Sequence, residues 1–221
     1  MKRENHKFLL NKMCPNGIWH MSHRMEQLLE HQIRSLPKGN VSEDETRYPT
    51  TPIGMRAFLD KFFTRHYFQI QDSLIEFLSS EDFINIINYG ELKILDIGSG
   101  PAVASLAITD IIVNLLEYLK SNGNYININN LETTYVLNDT SNICLGVGQQ
   151  MLKNYFSINS SELSKVKQRI FNLEKPFPGN ISQLKRIANY AGLYDIICLA
   201  YVIVPLNEEG VTSQARYYKV L

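Results

Sequence analysis

Two carboxylates and two glycines are the residues of this chain whose types and spacing indicate a ligand site. Asp96, Gly98 and Gly100 follow a short apolar run, and Asp139 follows a second run that is rich in β-branched residues. Glycines in such a turn let backbone N–H groups come close to a ligand. A carboxylate just ahead of them repels a phosphate and attracts a cationic group. The pattern therefore favours a positively charged ligand that carries no phosphate.

The glycine spacing also bears on the alternative of a dinucleotide. A G-x-G-x-x-G fingerprint would need glycine at position 103, where the chain has Val103. That fingerprint seats a pyrophosphate on the next helix, which Asp96 disfavours. An oxidoreductase that uses a nicotinamide cofactor is therefore disfavoured, whereas S-adenosylmethionine, with its sulfonium and amino group, fits the expected charge.

The run from Leu95 to Pro101, LDIGSGP, resembles the first motif of the class I S-adenosylmethionine-dependent methyltransferases, D/E-x-G-x-G-x-G. Ala102 stands in place of the third glycine, which is a small departure. The resemblance implies that S-adenosylmethionine is the cofactor and that it is bound by the turn residues Asp96, Gly98, Ser99 and Gly100.

Further site residues are implied by the same resemblance. Asp139, at the carboxyl end of the second strand, would accept hydrogen bonds from both ribose hydroxyls. Asn172 is the candidate for the adenine amino group, with Leu173 beside it in the cofactor site. The opening of the fourth strand, Tyr194-Asp195, resembles the family's fourth motif. Ala200 would then lie at the cofactor and Tyr201 at the methyl acceptor.

The elements that would position these residues form an α/β fold with an N-terminal helical segment. Four strands are predicted at 94–97, 133–137, 166–173 and 194–203, with helices at 103–120 and 181–191 between them. Strands that are apolar on both faces indicate a parallel sheet covered by helices. The resemblance implies a Rossmann-like methyltransferase sheet in the order 3-2-1-4. Residues 91–221 are expected to form this cofactor-binding domain.

Residues 1–90 are predicted to be helical and, by the resemblance, to form a lid over the cofactor. Apolar residues recur at helical spacing over 18–36 and again over 55–78, and Ser80 is a candidate N-cap for a short helix. Scattered Cys14, His20, His23 and His31 match no usual zinc spacing, so no metal site is expected. Basic residues interleave with aromatics over 61–68, but the aromatics follow the helical stripe, which favours core packing over nucleic-acid binding.

The family's core has seven strands, and this chain ends about one helix after the fourth. Strand four would then leave an open sheet edge, which native proteins cover or avoid. The sequence therefore predicts either an incomplete chain whose edge is paired by a partner or a second copy, or a minimal domain whose own N-terminal helices cover that edge.

Composition limits the remaining choices. The chain has 221 residues, a formal net charge of zero and three widely spaced cysteines. A cytoplasmic protein without disulfides, signal peptide or membrane span is expected, with no electrostatic reason to favour nucleic acid. The sequence predicts methyl transfer to an unidentified acceptor, most simply a small molecule. The alternative is a catalytically silent methyltransferase-like subunit that binds a partner chain completing the sheet.

Overall fold

The structure, a computed structural model, describes residues 2–123, 131–158, 166–174 and 194–199. Its helices and strands, in chain order, are α1 (Lys2–Met13), α2 (His23–Ser35), α3 (Glu43–Arg47), α4 (Pro52–Phe58), α5 (Thr64–Leu78), α6 (Glu81–Asn88), β1 (Glu91–Ile97), α7 (Val103–Ser121), β2 (Glu132–Asp139), α8 (Asn142–Ser157), β3 (Lys167–Glu174) and β4 (Ile196–Cys198). The helix predicted at 181–191 and the residues after 199 lie outside the described part of the chain.

The four strands form one parallel sheet in the order β3-β2-β1-β4. This confirms the predicted α/β class and strand order, and the fold is Rossmann-like. Ile94 of β1 pairs with Tyr135 of β2 on one side and with Ile196 of β4 on the other. The chain adds β2 and β3 on one side of β1 and then returns to place β4 on the other side. The neighbouring strands β1 and β4 therefore form a topological switch point, and open α/β sheets bind ligands at the carboxyl ends of the strands there.

Helix α7 lies between the sheet and the N-terminal helices. It contacts β1 on one side and α1, α5 and α8 around the rest of its surface. Fourteen consecutive residues, 103–116, are buried, so this part of the helix is covered all round rather than on one stripe. The N-terminal helices therefore share one core with the sheet and its crossover helices.

Side-chain caps determine where several N-terminal helices begin. Ser80 accepts a hydrogen bond from the Phe83 N–H at 3.2 Å, which confirms the predicted cap of α6. Helix α2 begins at His23 rather than near residue 18, because Ser22 caps it through the Met25 N–H. Over 55–78 the single predicted helix is interrupted at Leu59–Phe63 by a π-helical turn, which inserts one extra residue between α4 and α5.

The aromatic stripe of this region faces the core, as predicted. Phe63 and Tyr67 are fully buried, and their rings stack with centroids 6.0 Å apart. Within the described residues, no group of three or more His, Cys, Asp or Glu side chains could hold a metal ion. Among the helices of the same ranges, none combines the length and apolar content needed to cross a membrane.

A buried carboxylate on α7 joins three elements of the fold. Ser22 Oγ and Tyr155 OH each donate a hydrogen bond to Asp110 Oδ1 at 2.5 Å, and Tyr67 OH donates to Asp110 Oδ2. Burial, reinforced by the Asp110 charge, raises the pKa of Tyr67 and of Tyr155 well above the ordinary value. Both phenols therefore stay protonated and serve as donors. This network attaches α2, α5 and α8 to α7.

Candidate functional site

The turn after β1 has the backbone shape that a close approach to a ligand requires. Gly98 and Gly100 both have left-handed φ values, 65° and 51°. A Cβ placed on Gly100 would meet no heavy atom within 4 Å, so the space beside this residue is open. Ala102 also has a left-handed φ, 60°, which explains physically why glycine suits this position of the motif.

Asp139 joins the end of β2 to the glycine turn. Its Oδ2 accepts a hydrogen bond from the Gly100 N–H at 2.9 Å, and its Oδ1 accepts one from the Ser141 N–H at 2.8 Å. The backbone repeats the connection, because the Ser99 N–H donates to the Asn138 carbonyl at 2.9 Å. The predicted site residues Gly98, Ser99, Gly100 and Asp139 are thus brought together at the carboxyl edge of the sheet.

Asp96 lies beneath the turn. Its side chain is only 1% exposed, and its Oδ2 accepts hydrogen bonds from the Ser105 N–H at 3.1 Å and from Ser105 Oγ at 2.7 Å. It therefore anchors the first turns of α7. Desolvation raises the pKa of this carboxyl to about 6, although the bonds from Ser105 act in the opposite direction. The sequence predicted that Asp96 would contact a ligand directly. Its buried position and its bonds to Ser105 indicate instead that it holds the glycine turn and the start of α7 in place.

The raised pKa of Asp96 gives a pH-dependent contribution to stability. Between pH 4 and pH 6 the folded chain keeps a proton that the unfolded chain loses, so this residue destabilises the fold as pH rises through that window. Asp96→Asn cannot ionise. We therefore expect its free energy of unfolding, relative to that of the unmodified chain, to increase by about 1–2 kcal/mol when the pH is raised from 5 to 8. Urea unfolding of both proteins at the two pH values measures this change, and an equal stability difference at both would contradict it.

Asn172 and Leu173 lie near the end of β3 and point to opposite faces of the sheet. Asn172 is exposed, and its Nδ2 donates to Gln149 Oε1 of α8 at 3.3 Å. Leu173 is buried in a small cluster on the other face with Leu95, Ile97 and Val136. Asn172 is therefore accessible on the α8 side of the sheet, whereas Leu173 packs into the apolar cluster on the opposite face. Ala200 and Tyr201, predicted for the cofactor and the acceptor, lie outside the described residues.

The segment 45–51, which runs from α3 to the residue before α4, covers the start of α8, and this contact was not predicted from the sequence. Ser141 Oγ donates to the Pro49 carbonyl at 2.7 Å, two residues after Asp139. Glu45 shapes this segment by accepting hydrogen bonds from the N–H and hydroxyl groups of Thr50 and Thr51, and these bonds lower its pKa to about 2. The N-terminal helical segment is thereby held against the carboxyl edge of β2.

Gly148 is the other residue that sequence reasoning missed. A Cβ at this position of α8 would lie 2.9 Å from Ala102 Cβ and 2.9 Å from the Pro101 carbonyl carbon. Helix α8 therefore packs directly against the backbone of the glycine turn at Pro101 and Ala102. Two glycines inside one helix, Gly146 and Gly148, are the signal that could have indicated a close approach to this helix.

Comparison with known proteins gives no family for the chain: no family model matches it, and no curated protein does. The chemistry of the carboxyl edge is therefore the basis on which a ligand can be inferred.

Proposed function

We propose that this chain binds S-adenosylmethionine over the glycine turn and transfers its methyl group to an acceptor, most simply a small molecule. The observation that carries the proposal is the contact of Asp139 with Gly100, which brings a carboxylate to an open glycine turn beside the β1/β4 switch point. An adenosyl ligand needs both features, an acceptor for its ribose hydroxyls and close access to backbone.

The residues of the turn fit this cofactor in charge as well as in shape. Each oxygen of Asp139 accepts one backbone N–H, and a carboxylate offers about four acceptor sites, so capacity for two ribose hydroxyls remains. The segment from Asp96 to Ser105 contains no Lys or Arg. A phosphate at this turn would meet the Asp139 carboxylate, and this segment supplies no side-chain cation to compensate, which supports a cationic ligand.

When bound, S-adenosylmethionine supplies an electrophilic methyl group. The work left to this chain is to bind, align and exclude water, because in-line displacement depends mainly on proximity. Burial raises the pKa of Cys144 to about 12 and raises that of Cys198 as well. Both thiols are therefore protonated near neutral pH, which favours direct transfer to the acceptor over a route through either of these two thiolates.

Calorimetric titration with S-adenosylhomocysteine tests the proposal. We expect the unmodified chain to bind and Asp139→Ala to bind at least about tenfold more weakly, because the variant loses charged hydrogen bonds to the ligand. Glu174→Ala is the matched control, since Glu174 is the register partner of Asp139 and is exposed at the end of β3. Absence of binding by the folded chain, or equal binding by Asp139→Ala, would contradict the proposal.

A second candidate function is that of a silent subunit that binds a partner chain. Exposed apolar side chains favour it, because Phe171 and Ile197 on one face of the sheet and Leu199 just after β4 are 41%, 56% and 37% exposed. Phe171 and Ile197 flank the buried Val136 and Leu95 in the same register row. A chain that binds no cofactor alone but forms a stable complex that does bind it would support this function over the first.

A further inference from the structure

A cleft with several charged side chains in its lining lies between α1, α2 and α7, away from the glycine turn. Its volume is about 400 Å³, which is within the range of small-molecule sites. Asp110 and Glu117 line it from α7, about 10 and 20 Å along the helix axis from Val103 at the turn. The cleft is thus separate from the carboxyl edge, and nothing inferred about it depends on the proposed function.

Basic groups gather on one wall of this cleft. Lys12 comes from the end of α1, His20 from the following loop, and His23 and Arg24 from the first turn of α2. The amino end of a helix also carries partial positive charge on its backbone N–H groups. Asp110, the buried acid of the cleft, is already bonded to three hydroxyl donors. The wall formed by α1 and α2 is therefore suited to a negatively charged ligand.

Arg24 is less exposed than Lys12 or His23 in the same cleft. The side chain is only 16% exposed and lies over the Tyr155 ring, with the guanidinium carbon 5.5 Å from the ring centroid. Its Nη2 donates to Glu117 at 3.3 Å, but its buried Nε has no hydrogen-bond partner among the described residues. Tyr155 and Glu117 both interact with this guanidinium, so the fold holds the charge of Arg24 in place at the cleft, where its terminal nitrogens can form charge-assisted hydrogen bonds with an anionic ligand.

Within the described residues, Glu117 is the carboxylate that pairs with Lys12 and Arg24, and it holds them loosely, while His23 lies 3.9 Å from Glu26. Glu117 lies 3.7 Å from Lys12 Nζ and 3.3 Å from Arg24 Nη2, and it is 47% exposed. Such a shared, half-exposed contact contributes little energy and can be replaced. From these features we infer that the cleft binds a small molecule through an oxyanion group, a carboxylate or a phosphate, held by Arg24 and Lys12 in competition with Glu117.

The test is an NMR titration of the ¹⁵N-labelled chain with inorganic phosphate and, separately, with succinate, at constant ionic strength. Saturable shifts of the His23 and Arg24 amides are expected with at least one of them, and the tighter of the two identifies the oxyanion class. Arg24→Gln should weaken this binding at least about tenfold, because it removes a charged donor. Arg34→Gln is the matched control on the same helix, since Arg34 is exposed and pairs with Glu30.

Glu117→Gln keeps the test decisive even if Arg24→Gln does not fold. The substitution removes the competing carboxylate from a half-exposed position, so binding should tighten about two- to fivefold. A role of Arg24 in structure alone would not produce tighter binding. Absence of saturable shifts with both anions, or unchanged or weaker binding in Glu117→Gln, would overturn the inference.

Discussion

Replacing Gly148 by alanine is expected to destabilise the fold by about 2–3 kcal/mol. The new methyl group would lie 2.9 Å from the Pro101 carbonyl carbon and 3.0 Å from the Ala102 nitrogen. Real Cβ atoms do not approach backbone this closely, and backbone cannot move aside as the end of a flexible side chain can. Either α8 must shift away from the glycine turn or the turn must deform.

Gly146→Ala provides the matched control one half-turn away on the same helix. A Cβ at Gly146 meets no atom within 4 Å, so alanine there should stabilise the helix by about 0.5–1 kcal/mol. Urea unfolding of the two variants should therefore move the midpoint in opposite directions. Shifts of the same sign and size would show that α8 does not pack against the turn as described. Because Gly148→Ala either deforms the glycine turn or removes its support by α8, the proposed cofactor site also predicts weaker S-adenosylhomocysteine binding by this variant alone.

The second large effect is expected from Asp110→Ala, at about 3–5 kcal/mol. The substitution leaves the hydroxyls of Ser22, Tyr67 and Tyr155 without their common acceptor inside the core. A buried donor that loses its acceptor costs more than the hydrogen bond contributed. Thermal or urea unfolding measures the loss, and Glu117→Gln on the exposed side of the same helix should change stability by less than about 1 kcal/mol.

A double-mutant cycle with Tyr155→Phe separates the network from general loss of packing. Tyr155→Phe should destabilise the unmodified chain by about 1–2 kcal/mol, but should cost much less once Asp110 is alanine. Additive effects of the two substitutions would contradict a shared hydrogen-bond network between α7 and α8.

Strand and helix identities in the sheet region could be predicted because each element has a strong local signal. The apolar run at Ile94 and Leu95 indicates a covered strand, and the helix predicted at 103–120 agrees with α7 to within one residue. Local side chains also determine the α6 boundary, where Ser80 caps the helix. The π-helical turn at Leu59–Phe63 could not be predicted, since both the regular and the widened helix present apolar residues to the core at these positions.

The candidate site was predicted in part, and the misses have a common cause. The meeting of Gly100 with Asp139 follows from parallel strands ending at the same edge, which the order of elements implies. The buried roles of Asp96 and Asp110 depend on which face of a strand or helix is covered by distant segments. An acid within the apolar run of α7 is a signal that a buried partner exists, but sequence does not say that the partners are Ser22 and two tyrosines.

The central claim is that Asp139 and the glycine turn bind an adenosyl ligand, and NMR locates that ligand most directly. The Gly100 and Ser141 amides both donate to Asp139, so a ligand that engages this carboxylate must perturb them. We predict that S-adenosylhomocysteine shifts these two amide signals of the ¹⁵N-labelled chain most strongly and to saturation. A folded chain in which both signals stay unchanged at millimolar ligand, or in which shifts are confined to the Arg24 cleft, would contradict the claim.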